Sequence, residues 1–167
     1  VFDQGPQTVA IGDQAGEQGQ NTQSVAIGRQ AGFIAQGESA FALGSTAGCQ
    51  AQNNFAVGIG LSAGRRAQGL GSVGLGWQAA QFDQGQYSVA IGINSGGEGQ
   101  GTSAVAIGPT AGYFDQGSSA VAIGLNSGSH GQNTQSVAIG SLAGREGQGS
   151  SAVAIGTNAG YFQQDSE

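Results

Sequence analysis

The chain has no Lys and no Met, a single Cys, a single His, and only 8% charged residues among its 167. Each shortage excludes something. Four Arg against ten acidic residues leave a net charge of −6, so no surface can neutralise a run of phosphates, and nucleic acid is not an expected partner. Cys49 alone cannot form an internal disulfide. No run approaches the ~18 apolar residues of a membrane helix, and no charged-then-apolar leader opens the chain. The segment is expected to be soluble, with no membrane insertion. Aromatic residues are 7% and the apolar mass is mostly Ala, Val and Ile, so a wide, thick core is not expected.

What the chain does have is Gly, 34 residues of it, and a strict period. Starting at Val9, every sixteenth residue opens the same phrase: Val9, Val25, Phe41, Val57, Val73, Val89, Val105, Val121, Val137 and Val153. Counting slots from that residue, slot 2 is Ala or Gly and slot 3 is Ile or Leu. Slot 4 is always Gly, slot 7 is Ala or Ser, and slot 8 is Gly except at Ala80. Slot 12 is always Gln, at Gln4, Gln20, Gln36, Gln52, Gln68, Gln84, Gln100, Gln116, Gln132, Gln148 and Gln164. Low-complexity disorder repeats loosely, whereas a fixed spacing with its own residue type at each slot means a distinct environment at each slot.

Sixteen residues are too few for a helix pair or a propeller blade and fit one coil of an all-β parallel solenoid. The expectation is therefore one repeat domain over 1–167, of about ten coils, each rising ~4.8 Å. Slots 1 and 3 share a face of a strand and are β-branched, so they are expected to point into the coil. Gly at slot 4 marks a corner. The Gly, Asn or Asp at slot 13 has the composition of a left-handed corner, and slot 8 marks a third corner or a close backbone approach.

Slots 16 and 2 on the opposite face are small, and no charge falls on slots 1–4, 7, 8, 12 or 16. That face is expected to be a subunit interface built on Ala10, Ala26, Ala42, Ala90, Ala106, Ala122, Ala138 and Ala154. Energetics lead the same way. Burying a Val and an Ile per coil yields ~3–6 kcal/mol, while ordering sixteen residues costs on the order of 16 kcal/mol or more in backbone entropy. An oligomer is expected, a threefold bundle being natural for a narrow rod. The slot-12 Gln side chains read either as an amide ladder satisfying buried polar atoms or as a polar binding stripe.

Catalytic, cofactor and metal sites are not expected. His130 has no Ser or Cys nucleophile at a recognised spacing, the calcium-binding GGxGxD nonapeptide is absent, and paired carboxylates on adjacent coils are missing. Gly97-Glu98-Gly99-Gln100-Gly101 lacks the Lys of a phosphate loop. Cys49 is an incidental thiol or a link between subunits. Phe82, Tyr113, Phe114, Tyr161 and Phe162 fall on slots 9 and 10; they either wedge between subunits or form an exposed contact patch.

The phrases Ser24-Val25-Ala26-Ile27-Gly28, Ser88 to Gly92, Ala104 to Gly108, Ala120 to Gly124, Ser136 to Gly140 and Ala152 to Gly156 closely resemble the SVAIG head repeats of YadA-like trimeric autotransporter adhesins. The sixteen-residue form with its Gln-Gly corner is also similar to repeats of viral and phage fibre proteins. The resemblance implies a left-handed β-roll, a homotrimer, and an extracellular, cell-surface or virion-surface location. The expected function is non-enzymatic: an adhesive fibre segment making multivalent contact with a host protein or glycan. A filament stacking end to end and an ice-binding solenoid are the alternatives.

Overall fold

The structure is a computed structural model and describes residues 4–163. It is an all-β parallel solenoid with about sixteen residues per coil and, among the described residues, no helix. The ten VAIG-type segments, from Val9–Ile11 to Val153–Ile155, form one ten-stranded parallel sheet in which each strand pairs with its equivalent in the next coil. Register is identity: Val105 lies opposite Val121, Ala106 opposite Ala122, and Ile107 opposite Ile123. A second parallel sheet of five strands, Gln18–Gln20, Ile34–Gln36, Gln50–Gln52, Arg66–Gln68 and Phe82–Gln84, forms the other wall. From Glu98 onward that wall continues as isolated bridges, Glu98 to Phe114, Phe114 to His130, and His130 to Glu146.

Corners are left-handed at more places than expected. Besides Gly at slot 4 (φ 127° at Gly28) and slot 8 (φ 51° at Gly32), non-glycine residues take positive φ at slots 6, 11 and 15, as at Gln30 (56°), Ala35 (53°) and Ser39 (52°). Such residues cost about 1–2 kcal/mol each in isolation. Here the inversion turns the N–H toward the previous coil: Gln30 donates to Asp13, Ser39 to Thr22 and Asp115 to Glu98, at 2.8–3.0 Å. Slot 13 departs from its expected left-handed corner, since its glycines do not have positive φ. They are small because a Cβ there meets the next coil's backbone, 2.4 Å from Asn53 C in the case of Gly37.

The interior is the reverse of the sequence expectation. Ala26, Ala42, Ala90, Ala106, Ala122 and Ala138 are fully buried inside their own chain, as are Ala31, Ala111 and Ala143 at slot 7. Val and Ile at slots 1 and 3 point outward, giving a half-buried, buried, half-buried pattern along most of these strands. The physical reason is width. The two walls stand too close for β-branched side chains, so the coil closes over methyl groups and over one long, flat side chain per turn, the slot-12 Gln.

Candidate interaction surfaces

The buried glutamines organise the coil. Gln116 is 2% exposed; its Nε2 donates to Val105 O at 2.8 Å and to Ala120 O at 3.3 Å, bridging the second wall to the first. The same amide reaches Gln132 Oε1 in the next coil at 3.2 Å. This ladder runs Gln36 to Gln52 to Gln68, then Gln84 through Gln100, Gln116 and Gln132 to Gln148. Gln20 makes the same bonds to the first wall. Gln4 sits exposed at the first rung, and Gln164 lies outside the described residues. Slot-16 serines are also satisfied internally: Ser72 Oγ donates to Gly69 O at 2.7 Å and Ser136 Oγ to Asn133 O at 2.6 Å. With their side chains pointing inward, these residues present no polar stripe to a partner.

The alanine interface expected from the sequence is corrected by this packing. Ala26, Ala42, Ala90, Ala106, Ala122, Ala138 and Ala154 are 0–2% exposed in the single chain and have no surface to offer a neighbour. Ala10 is exposed, but it occupies the outermost strand of the sheet. The outward surface of the large sheet is instead the aliphatic one: Val and Ile or Leu, stacked coil upon coil.

That surface widens in the middle of the rod, which sequence reasoning missed. Just beyond the Gly corner, slot 5 carries Leu61, Trp77, Ile93, Pro109 and Leu125 in five consecutive coils, the four large side chains being 48–53% exposed. On the other flank, Phe55 and Tyr87 at slot 15 are 57% and 58% exposed. Tyr87 leans over Gly71, where a Cβ would lie 3.2 Å from its ring. The signal was available: the smallest residues mark the inside of a narrow coil, and Trp77 shares its slot with four apolar neighbours.

The slot 9 and 10 aromatics lie on the opposite wall. Tyr113 packs edge-on to Phe114 with centroids 4.3 Å apart, and Phe114 is tilted against His130 at 5.4 Å. Tyr161 packs edge-on to Phe162, which is 72% exposed, and the Arg145 guanidinium lies over Tyr161 and hydrogen-bonds its hydroxyl. The Arg66 guanidinium lies 5.7 Å from the centre of the Phe82 ring. A shallow, open hollow of about 320 Å³ lies between Arg66, Phe82, Asp83 and Glu98; it brings together carboxylates of two adjacent coils, a pairing the sequence reading had taken to be absent.

His130 Nδ1 lies 2.9 Å from Ser129 Oγ, but that serine is 2% exposed, so its hydroxyl has no route to a substrate. Burial pushes the Cys49 thiol above its ordinary value, with the charge of Arg65 opposing in part. Among the described residues no three His, Cys, Asp or Glu side chains gather at one place, and no helix is long and apolar enough to cross a membrane. No protein-family model, no curated protein and no solved structure matches the chain.

Proposed function

We propose that this chain is a non-enzymatic structural and adhesive rod, an elongated homotrimer that serves multivalent attachment at a cell or virion surface. The observation that carries the reading is the outward Val/Ile ladder flanked on both sides by exposed large hydrophobics. Ten strands at ~4.8 Å spacing and about five residues of width give a face on the order of 700 Å², close to the ~800 Å² per partner of a standard stable interface. A solvated sheet face would carry long polar side chains instead.

Three copies fit this surface better than two. A flat pair would cover the Val/Ile centre and leave Trp77 and Tyr87, on opposite flanks, in water. In a threefold bundle each chain meets a different neighbour on each flank, so apolar residues around both edges are covered. The opposite wall, with its charges and aromatics, faces outward. There, three copies of many similar coils multiply weak contacts into useful avidity.

Light scattering coupled to size exclusion, with negative-stain images of the same peak, tests this. The expected result is a discrete mass of three chains, as short rods, and a monomer for Ile91→Lys with its β-spectrum intact. A monomer for the unmodified chain overturns the reading. Mass growing without limit, with uniform fibres, replaces it with an end-to-end filament.

A further inference from the structure

We infer that three copies of this chain stand parallel and at one height, with Trp77 of each seated against the Tyr87 ring of the next, over that copy's Gly71. This rests on the trimeric reading above and names the contact that sets its register. Side chains alternate along a strand, so slots 15, 1, 3 and 5 face outward together. In the fifth coil that row is Gly71, Val73, Leu75 and Trp77. It holds the chain's one Trp and the one Gly found at slot 15. The bulkiest side chain in the sequence and a position with none stand at the two ends of a single rung.

The next coil shapes the glycine end. A Cβ on Gly71 would lie 3.2 Å from Tyr87 Cδ1 and 3.4 Å from Cε1, so the Tyr87 ring leans back by one coil and lies at the height of Trp77. One flank of this rung therefore offers an indole and the other a phenol ring, both more than half exposed in the single chain. Leu75, between them, is exposed as well. An aromatic pair adds attraction beyond the area it buries, and Trp and Tyr are among the side chains on which interfaces most depend.

The two flanks also fix direction. The slot-5 stripe from Leu61 to Leu125 is centred on Ile93, whereas Phe55 and Tyr87 at slot 15 are centred on the rung of Gly71, one coil earlier. Antiparallel neighbours would pair each flank with its own reversal, and no single centre serves both. Parallel neighbours pair slot 5 with slot 15: Leu61 meets Phe55, Trp77 meets the Tyr87 ring, and Ile93 meets the base of Tyr87. A closed threefold rotation has no axial translation, so these pairs lie at equal heights. A second copy is the occupant because both halves of the fit lie on this one chain. The face, on the order of 700 Å² at ~4.8 Å per strand, is also close to the ~800 Å² per partner of a stable interface.

Trp77 is the only tryptophan, so its fluorescence reads this contact alone. In the trimer peak its emission is expected to shift to the blue, and its acrylamide quenching constant to fall about threefold or more relative to the folded Ile91→Lys monomer. Tyr87→Ala should raise the concentration of half-dissociation about tenfold or more and return the emission to the red in the trimer that is left. Tyr87→Phe should behave as the parent, and Tyr113→Ala, on the opposite wall, should change neither reading. Register is read separately. Chains carrying Ser119→Cys and chains carrying Leu125→Cys, all with Cys49→Ser, are mixed, refolded and treated with a short bis-maleimide; cross-links are expected between unlike chains and not between like ones. A trimer whose Trp77 is as open to acrylamide as the monomer's overturns this inference alone and leaves the assembly reading standing, as do links between like chains or none between unlike ones. A monomer for the unmodified chain overturns both.

Discussion

Gly74 and Ala80 have exchanged the residue types found in most other coils. Slot 2 is usually Ala and slot 8 Gly; the two face each other, with the Cβ of Ala90 3.1 Å from where a Cβ on Gly96 would be. In the fifth coil the methyl comes from slot 8, and a Cβ on Gly74 would lie 3.1 Å from the Cβ of Ala80. The exchange has a second effect. At the slot-8 glycines from Gly16 to Gly144 a Cβ would sit 2.4–2.7 Å from the Gln Oε1 of the same coil, as at Gly64 and Gly96. The real methyl of Ala80 crowds that place; the ladder is interrupted between Gln68 and Gln84, leaving Gln84 Oε1 without a partner, and a like gap leaves Gln36 Oε1 unpartnered after Gln20, where slot 8 is glycine.

A double-mutant cycle follows from this pair. Gly74→Ala alone overfills the site and is expected to lower stability by about 1–3 kcal/mol. Ala80→Gly alone removes an alanine held at φ 50° but leaves a methyl-sized hole, so its net effect should be small. The double variant restores the common arrangement and should exceed the parent by about 1 kcal/mol or more. Additive thermal unfolding midpoints would contradict the coupling.

Neighbouring residues of one strand should respond in opposite ways. Ala106→Val places two methyl carbons in a space with none to spare and is expected to cost about 1–3 kcal/mol, seen as a lower unfolding midpoint. Ile107→Ser, one residue on, faces outward and should leave the single chain folded while weakening assembly. If Ile107→Ser unfolds the chain and Ala106→Val does not, the facing of the strand is wrong.

Cys49 should be a quiet thiol. It is 8% exposed and its thiol is held above the ordinary range by burial, Arg65 offsetting part of the effect. A maleimide or iodoacetamide at pH 8 should label it far more slowly in the folded chain than in denaturant. Because the folded-state value is raised, its contribution to stability is complete below the unfolded thiol's value and is lost as pH rises through the folded one. Alkaline unfolding should therefore be less steep in Cys49→Ala; an unchanged pH profile would remove the linkage.

Whole coils should be dispensable and half coils should not. Deleting residues 105–120 joins Ala104 to Val121 and preserves every slot, so the shortened rod is expected to keep its circular dichroism spectrum with a modest fall in midpoint. Deleting residues 105–112 instead joins slot 16 to slot 9 and puts Gln116 out of line with Gln100, and loss of the β-spectrum is expected. Equal tolerance of both deletions would mean that the register does not hold the fold together.

The period, the parallel stacking and the place of Gln at slot 12 were legible because identical residues recur at a fixed interval, and only in-register stacking gives each its own environment. The facing of Val105, Ala106 and Ile107 was not. Alternation separates two faces of a strand without saying which is inside, and the usual association of large apolar residues with the interior gave the wrong choice for a coil this narrow. The stripe from Leu61 through Trp77 to Leu125 was missed for a related reason, slot 5 not having been followed from coil to coil. The left-handed residues at slots 6 and 15 carry no common side chain, whereas slot 11, with Gly19, Asp83, Gly99, Asp115, Gly131 and Gly147, had the Gly and Asp composition by which slot 13 was wrongly chosen.

The glutamine ladder also makes the rod directional. Backbone N–H groups point toward both ends, forward at Val105 and backward at Gly108, and their dipoles largely cancel. The amides do not: every rung from Gln84 to Gln148 donates toward the later coil, so their dipoles add. The molecule is in this respect polar along its axis, with acceptor oxygens facing one end and amide hydrogens the other. Anything that reads the electrostatics of its ends meets two different surfaces, and copies laid in register side by side carry their dipoles parallel.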